Sequence, residues 1–251
     1  MSSSPDVFSS PRTARARRTG LVAALVAAPW LLVLGTGAGL LALSHGGNDS
    51  TGAESLALAA AHRGLYRSAM VFTMLGCLLM VPAVIGVMRL IGYRAARLGL
   101  IGGVLTAASY ICYFAMDSGD RFTLAMVARG DTGAEFGRIL DTSLNGASVV
   151  WYYLIFAAGS LIGTFLLGLA LWRGGVVPRW AAACVMGWSV LEIPQFLGLR
   201  DAEIVGSVLL AAGFAVVAHA VSRLPLAAAA QPQVSEDGQY PAVVALGVDQ
   251  A

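Results

Sequence analysis

Glu192 is the residue with most to explain. It stands in the run "GWSVLEIPQFLGLR", Gly187 to Arg200, in otherwise mostly apolar company and two residues before Pro194. At a rise of about 1.5 Å per helical residue, its distance from Arg200 places it about 10–12 Å inside the end of that run. An ionised carboxyl at such a depth in lipid costs about 2.5–3.5 kcal/mol on insertion scales. The expected form is therefore the neutral acid, turned toward other helices and able to donate a hydrogen bond. Pro194 has no N–H, so the carbonyl of Val190 lacks its usual helical donor and offers one acceptor close by.

The surroundings of Glu192 extend the chemistry. Trp188, Glu192 and Gln195 share one helix face by three- and four-residue spacing. The stretch "YICYFAMDSGDR" puts Tyr110, Tyr113 and Asp117 on one face in the same way, and "WYY" supplies Trp151, Tyr152 and Tyr153. Glu192 and Asp117 are the candidate acids; Trp188, Gln195, Tyr110, Tyr113 and Trp151 are the candidate walls. A neutral acid held away from water can protonate an alkene or epoxide, and electron-rich rings can steady a carbocation. The same carboxyl beside a proline-interrupted helix suits a proton carrier in transport. It also suits a purely structural hydrogen bond that closes the kink. Trp151, Tyr152 and Tyr153 equally fit an interfacial aromatic belt, and Asp117 and Asp120 equally fit solvated loop acids.

Helices in a membrane must position these groups. Of the 251 residues, 57% are hydrophobic and only 12% charged, against about 45–50% and 25% in soluble domains. Such a chain cannot cover its apolar surface with polar groups. Six apolar runs emerge, at about 20–43, 68–88, 98–116, 147–172, 180–199 and 204–222, each near the roughly 20 residues needed to span a bilayer. The fold class expected is all-α, a polytopic membrane helix bundle with six transmembrane helices. Residues 1–19 form a basic cytoplasmic tail, 20–222 the transmembrane domain, and 223–251 a disordered cytoplasmic tail. The first run is too long for a signal-peptide core of about 7–15 residues.

Charge sets the orientation. The sixteen basic residues are all arginine. Ten flank the runs on one side: Arg12, Arg15, Arg17, Arg18, Arg89, Arg94, Arg97, Arg173, Arg179 and Arg223. Six fall on the other, with nine acids that include Asp49, Asp117, Asp120 and Glu203. The positive-inside rule then places both termini in the cytoplasm of a bacterial plasma membrane. Two short cytoplasmic turns, "GYRAAR" and "RGGVVPR", imply tight hairpins. In the first outer loop "ESLALAAAHRGLYR" reads as a short interfacial helix. In the third, "AEFGRILDTSLNG" aligns Phe136, Ile139, Leu140 and Leu144 on one face and spaces Glu135, Arg138 and Asp141 three apart, which predicts an amphipathic helix over the outer mouth. Gly35/Gly39, Gly99/Gly103 and Gly159/Gly163 have the spacing that lets helices approach closely.

Several chemistries have no support in the residues. His45, His62 and His219 lack metal-ligand spacing, and Cys77, Cys112 and Cys184 are too scattered to pair. There is no phosphate-cradling glycine loop and no serine elbow. No cofactor, no metal and no nucleic-acid partner is expected. The partners expected are the lipid bilayer, a hydrophobic small-molecule substrate and a second copy of the chain in a homodimer.

The arginine-rich start, the "VVPRWAAA" turn and the "LDTSLNG" loop give the chain a resemblance to six-helix integral membrane proteins of actinobacteria, which implies topology alone. In size and layout it also resembles bacterial membrane-bound terpene cyclases. That resemblance implies an isoprenoid substrate and acid-initiated closure, with Glu192 and Asp117 as the acids. Three readings follow: such a membrane-embedded enzyme, a non-enzymatic assembly protein, and a proton-coupled small-molecule transporter.

Overall fold

The computed structural model describes residues 11–144, 146–196 and 201–224. The stretches 1–10 and 225–251, expected as tails, and residues 197–200 lie outside the described residues. Among the described residues every regular element is helical: α1 Pro11–Ser44, α2 Gly52–Ala61, α3 Arg63–Ile91, α4 Ala96–Asp117, α5 Asp120–Arg129, α6 Ala134–Leu144, α7 Ala147–Ala158, α8 Thr164–Gly174, α9 Arg179–Phe196 and α10 Asp201–Ser222. A π-helical turn, Gly159–Gly163, joins α7 to α8. α1 starts at a proline, whose missing N–H costs nothing in a first turn. The four arginines assigned to a tail therefore ride on the opening turns of a helix.

Five stretches are long and apolar enough to cross a membrane: Arg12–Ser44, Arg63–Ile91, Ala96–Arg129, Val149–Gly174 and Ala202–Ser222. They make the protein an all-α bundle built for a membrane. The fifth expected run, now α9, is not among them. Its 18 residues include Arg179, Glu192, Pro194 and Gln195, and these polar positions dilute the apolar character that marks the other five.

The helices close into a ring. α1 packs on α3, α3 on α4, α4 on α7 and α8, α8 on α9, α9 on α10, and α10 returns to α1. Small residues set the tightest junction. A Cβ at Gly102 of α4 would lie 2.6 Å from the backbone nitrogen of Leu167, and one at Gly163 would lie 2.7 Å from that of Thr106. The Gly159/Gly163 spacing thus brings backbones together. Gly99 and Gly103 face the side chains of Ile91 and Met88 instead.

One end of the ring is solid. Leu25 of α1, Val84, Val87 and Ile91 of α3, Leu167 and Leu171 of α8, Val185 of α9 and Phe214 and Val217 of α10 form its buried apolar core. The short turns lie at this end, where Arg94 Nη1 donates to the Gly174 carbonyl at 3.2 Å and ties the two hairpins together. Arg18 Nη1 donates to the Leu224 carbonyl at 3.0 Å, joining the start of α1 to the residue beyond α10.

The other end is covered by three short helices, with α2 packed on both α5 and α6. α2 begins in a capping box: the Thr51 hydroxyl accepts from the Glu54 N–H, and the Glu54 carboxylate accepts from the Thr51 N–H. The Gly52 N–H donates to Asp141 Oδ1 at 2.6 Å, and Gly137 allows Ala53 to sit against the backbone of α6. Of the apolar face expected on α6, Leu140 is buried while Ile139 is half-exposed; the side chain of Leu144 lies outside the described residues. α5 was not expected, because its mixed sequence "DRFTLAMVAR" lacks a long apolar stripe.

Candidate functional site

Behind the cap the ring is hollow. A cavity of about 300 Å³ opens between α1, α2, α3, α4, α5 and α10. Its wall carries four carboxyls, Asp49, Asp117, Asp120 and Glu203, with Tyr66, Tyr113, Thr36 and Thr73 between them. The described lining contains no arginine. Where ionised, acids in a recess with low-dielectric walls focus a negative potential and draw cations. The acids are spread over the wall: among the described residues no three His, Cys, Asp or Glu side chains converge as metal ligands.

Three of the four acids have a structural reason for their position. Asp117 ends α4 and Asp120 begins α5, so the tight link between these helices turns both toward the cavity. Tyr66, in the first turns of α3, donates its hydroxyl to Asp120 Oδ1 at 2.8 Å. Glu203, in the first turn of α10, accepts from Thr36 Oγ1 at 3.0 Å across the α1–α10 junction. Gly35 beside it lets α1 come against Thr73 of α3, where a Cβ would lie 3.0 Å from the Thr73 nitrogen.

A second, smaller chamber of about 20 Å³ lies deeper, with Tyr110, Trp188, Glu192 and Ser207 in its wall. Thr36, Thr73, Tyr113 and Glu203 line both spaces, so the two chambers are neighbours through a shared wall. Glu192 is 1% exposed, Tyr110 2% and Trp188 6%. Glu192 Oε2, the Tyr110 hydroxyl and Trp188 Nε1 are buried without a hydrogen-bond partner among the described residues, as is Asp117 Oδ2 in the outer cavity. Buried polar groups normally find partners, so these four atoms are open to water or to a ligand's polar groups. The inner volume exceeds the roughly 10–15 Å³ that one water requires.

The π-helical turn supports α9 at the level of this chamber. The Ser189 hydroxyl donates at 3.1 Å to the carbonyl of Ser160, which lies within the π-helical turn, and Ser189 stands nearly one helical turn before Glu192. Such turns occur mostly as single insertions in α-helices and often sit at functional sites. The Tyr113 ring packs on Phe156 of α7 at 4.7 Å between centroids.

The residues expected from sequence separate as follows. Glu192, Trp188, Tyr110 and Tyr113 come together in the inner chamber. Asp117 lines the outer cavity, with Tyr113 touching both. The side chain of Gln195 lies outside the described residues. Trp151 is 68% exposed on α7 and lines neither chamber; it faces outward, as an aromatic belt residue does. Asp120, for which a solvated loop position was equally open, lines the outer cavity, as do Asp49 and Glu203, counted only among the outer acids; Thr36, Thr73 and Tyr66 carried no expectation. Their signal is faint: a threonine inside each of two apolar runs, and an acid on the first turn of the last run.

Comparison with protein-family models, with curated proteins and with solved structures finds no match to this chain.

Proposed function

We propose that this is a six-span plasma-membrane protein, with both termini cytoplasmic, that carries a small cationic solute across the membrane in exchange for protons. One observation carries the reading: an acid-lined cavity shares a wall with a buried carboxyl beyond it. The outer cavity receives the solute's positive charge at Asp117, Asp120 and Glu203. Glu192 gives up its proton when a cation occupies the cavity and takes one back when the cation leaves, because a nearby positive charge favours the ionised carboxylate and its departure restores the neutral acid. Thr36, Tyr113 and bound water offer the hydroxyls through which the proton passes.

Six spans follow if α9 is counted with the other five. It packs between α8 and α10, and its polar residues serve the interior. The arginine distribution supports the orientation and makes the capped end extracytoplasmic.

Acid-initiated cyclisation is the weaker reading. Tyr110 and Trp188 do stand beside Glu192, but the inner chamber has space for water and not for a prenyl chain, and Trp151 contributes no wall. An assembly role leaves the acid-lined hollow without a purpose.

The test is uptake of radiolabelled tetramethylammonium into proteoliposomes under an imposed pH gradient. Accumulation is expected to follow the gradient and to vanish in Glu192→Gln, with protein level and thermal midpoint near wild type. Uptake that ignores the gradient, or a Glu192→Gln protein that still accumulates the probe, overturns the reading.

A further inference from the structure

A third recess adjoins the acid-lined cavity under the cap. It has a volume of about 250 Å³ and is lined by Phe122 and Met126 of α5 and Ile139 and Leu140 of α6. Its wall is largely apolar, in contrast to its neighbour. Ser55, Tyr66 and Asp120 line both spaces, so the Tyr66–Asp120 hydrogen bond marks the boundary between an oily chamber and an acidic one. Phe122 is 69% exposed and Ile139 50% exposed, which leaves the oily chamber open at its rim.

We infer that the two chambers together bind an amphiphilic organic cation, its ammonium group among Asp117, Asp120, Tyr66 and Tyr113 and its apolar group against Met126, Ile139 and Leu140. The inference rests on the cation-carrier reading and names its substrate class. Three features lead to it. The acidic chamber has a buried polar atom that lacks a partner among the described residues, Asp117 Oδ2, and the smaller chamber that shares its wall has another, Glu192 Oε2. Two tyrosines accompany the acids, and aromatic faces with carboxylates suit a weakly hydrated ammonium better than a bare metal ion. The apolar chamber begins where the acids end, so a molecule with a charged head and a short oily tail matches both at once. Each volume is near the lower limit for a ligand pocket, about 300 Å³, which limits the tail to a ring or a short chain.

The experiment is calorimetric titration of the protein in lipid nanodiscs, with empty discs subtracted, against tetramethylammonium, benzyltrimethylammonium and neutral neopentylbenzene. Benzyltrimethylammonium is expected to bind at least about tenfold more tightly than tetramethylammonium, since burying a few apolar carbons contributes more than one factor of ten. Met126→Ser and Ile139→Ser are expected to remove most of that advantage, weakening benzyltrimethylammonium several-fold more than tetramethylammonium. Both residues lie at or near the rim, so the fold tolerates the changes. Asp117→Asn is expected to weaken both cations. Equal affinities for the two cations, an advantage that survives Met126→Ser and Ile139→Ser, or neopentylbenzene binding as tightly as the cation overturns the inference. Failure of the parent reading looks different: the affinity series holds, but uptake does not follow the pH gradient.

Discussion

The Ser189 hydroxyl donates a hydrogen bond to the Ser160 carbonyl at 3.1 Å, and both residues are buried, at 3% and 2% exposure. The bond fixes α9 to the π-helical turn at Ser189, nearly one helical turn before Glu192. A π turn shifts the ladder of helical hydrogen bonds by one residue and leaves a carbonyl for an outside donor. Ser189→Ala removes one hydrogen bond between two buried residues, at a cost of about 0.5–1.5 kcal/mol. The expected outcome is a thermal midpoint lower by about 2–4 °C per kcal/mol, read by tryptophan fluorescence in nanodiscs. Ser189→Thr, which keeps the hydroxyl, restores most of the loss. A Ser189→Ala protein as stable as wild type removes the bond from any supporting role.

Gly102 makes the closest backbone approach that α4 and α8 permit. A methyl group there meets the Leu167 nitrogen at 2.6 Å and the Gly163 carbonyl oxygen at 2.9 Å, and backbone atoms cannot swing aside. Gly102→Ala is expected to destabilise by about 1–3 kcal/mol, the usual range for overpacking. Gly64→Ala is the control. Nothing lies within 4 Å of its Cβ, so helix propensity alone acts and stability stays level or rises by up to about 1 kcal/mol. Equal midpoints for the two variants would falsify the close packing of α4 on α8.

Tyr66 and Asp120 form one unit at the chamber boundary. Tyr66→Phe deletes the donor, Asp120→Ala the acceptor, and each alone is expected to lower stability. The double variant is expected to fall short of the summed losses by about 0.5–3 kcal/mol, the interaction energy typical of residues in direct contact. Denaturant or thermal unfolding of the four proteins measures it, and strict additivity would show that the hydroxyl and the carboxylate do not meet.

Orientation has a direct check. The native cysteines, of which Cys77 and Cys112 are buried, are replaced by alanine, and single cysteines are placed at Tyr93, in the turn after α3, and at Phe122, on α5. Both positions are well exposed, at 67% and 69%. A membrane-impermeant maleimide applied to intact cells is expected to label Phe122→Cys and to reach Tyr93→Cys only after the cells are opened. The reverse pattern overturns the assignment of sides.

Much of the fold was legible because long apolar runs have few alternatives. Each expected run lies within or overlaps a helix of the structure. The short elements were harder: α5 mixes charge with apolar residues over ten positions, and only its packing against α2 makes it a recognisable element. For the site, Glu192 was legible because it is the lone acid in its apolar run. Glu203 and Asp120 were not, since an acid at the end of a span looks the same whether it meets water or a cavity. Their role depends on α10 returning to α1 and on α5 folding back under α2, contacts between distant parts of the chain that no local pattern encodes. Trp151 shows a related limit: it lines neither chamber and faces outward, the belt position that its sequence equally allowed. Sequence spacing gives the helical face but not which face turns outward, and an aromatic residue serves the lipid boundary as well as an interior wall.

The molecule has the form of a cup: hollow and acidic beneath its lid, filled with close-fitting aliphatic side chains at its base. A cup has one opening. In the carrier proposed above, cargo admitted past the lid leaves on the far side only when the base comes apart, and the base is where aliphatic side chains are fully buried and where the Arg94–Gly174 bond stitches the hairpins together. For such a carrier, the slow step of a full cycle is expected to be the loosening of the vessel's bottom rather than entry at its rim. A compound that wedged the lid open would leave that step untouched, whereas one that braced the base would stall the cycle with the vessel full.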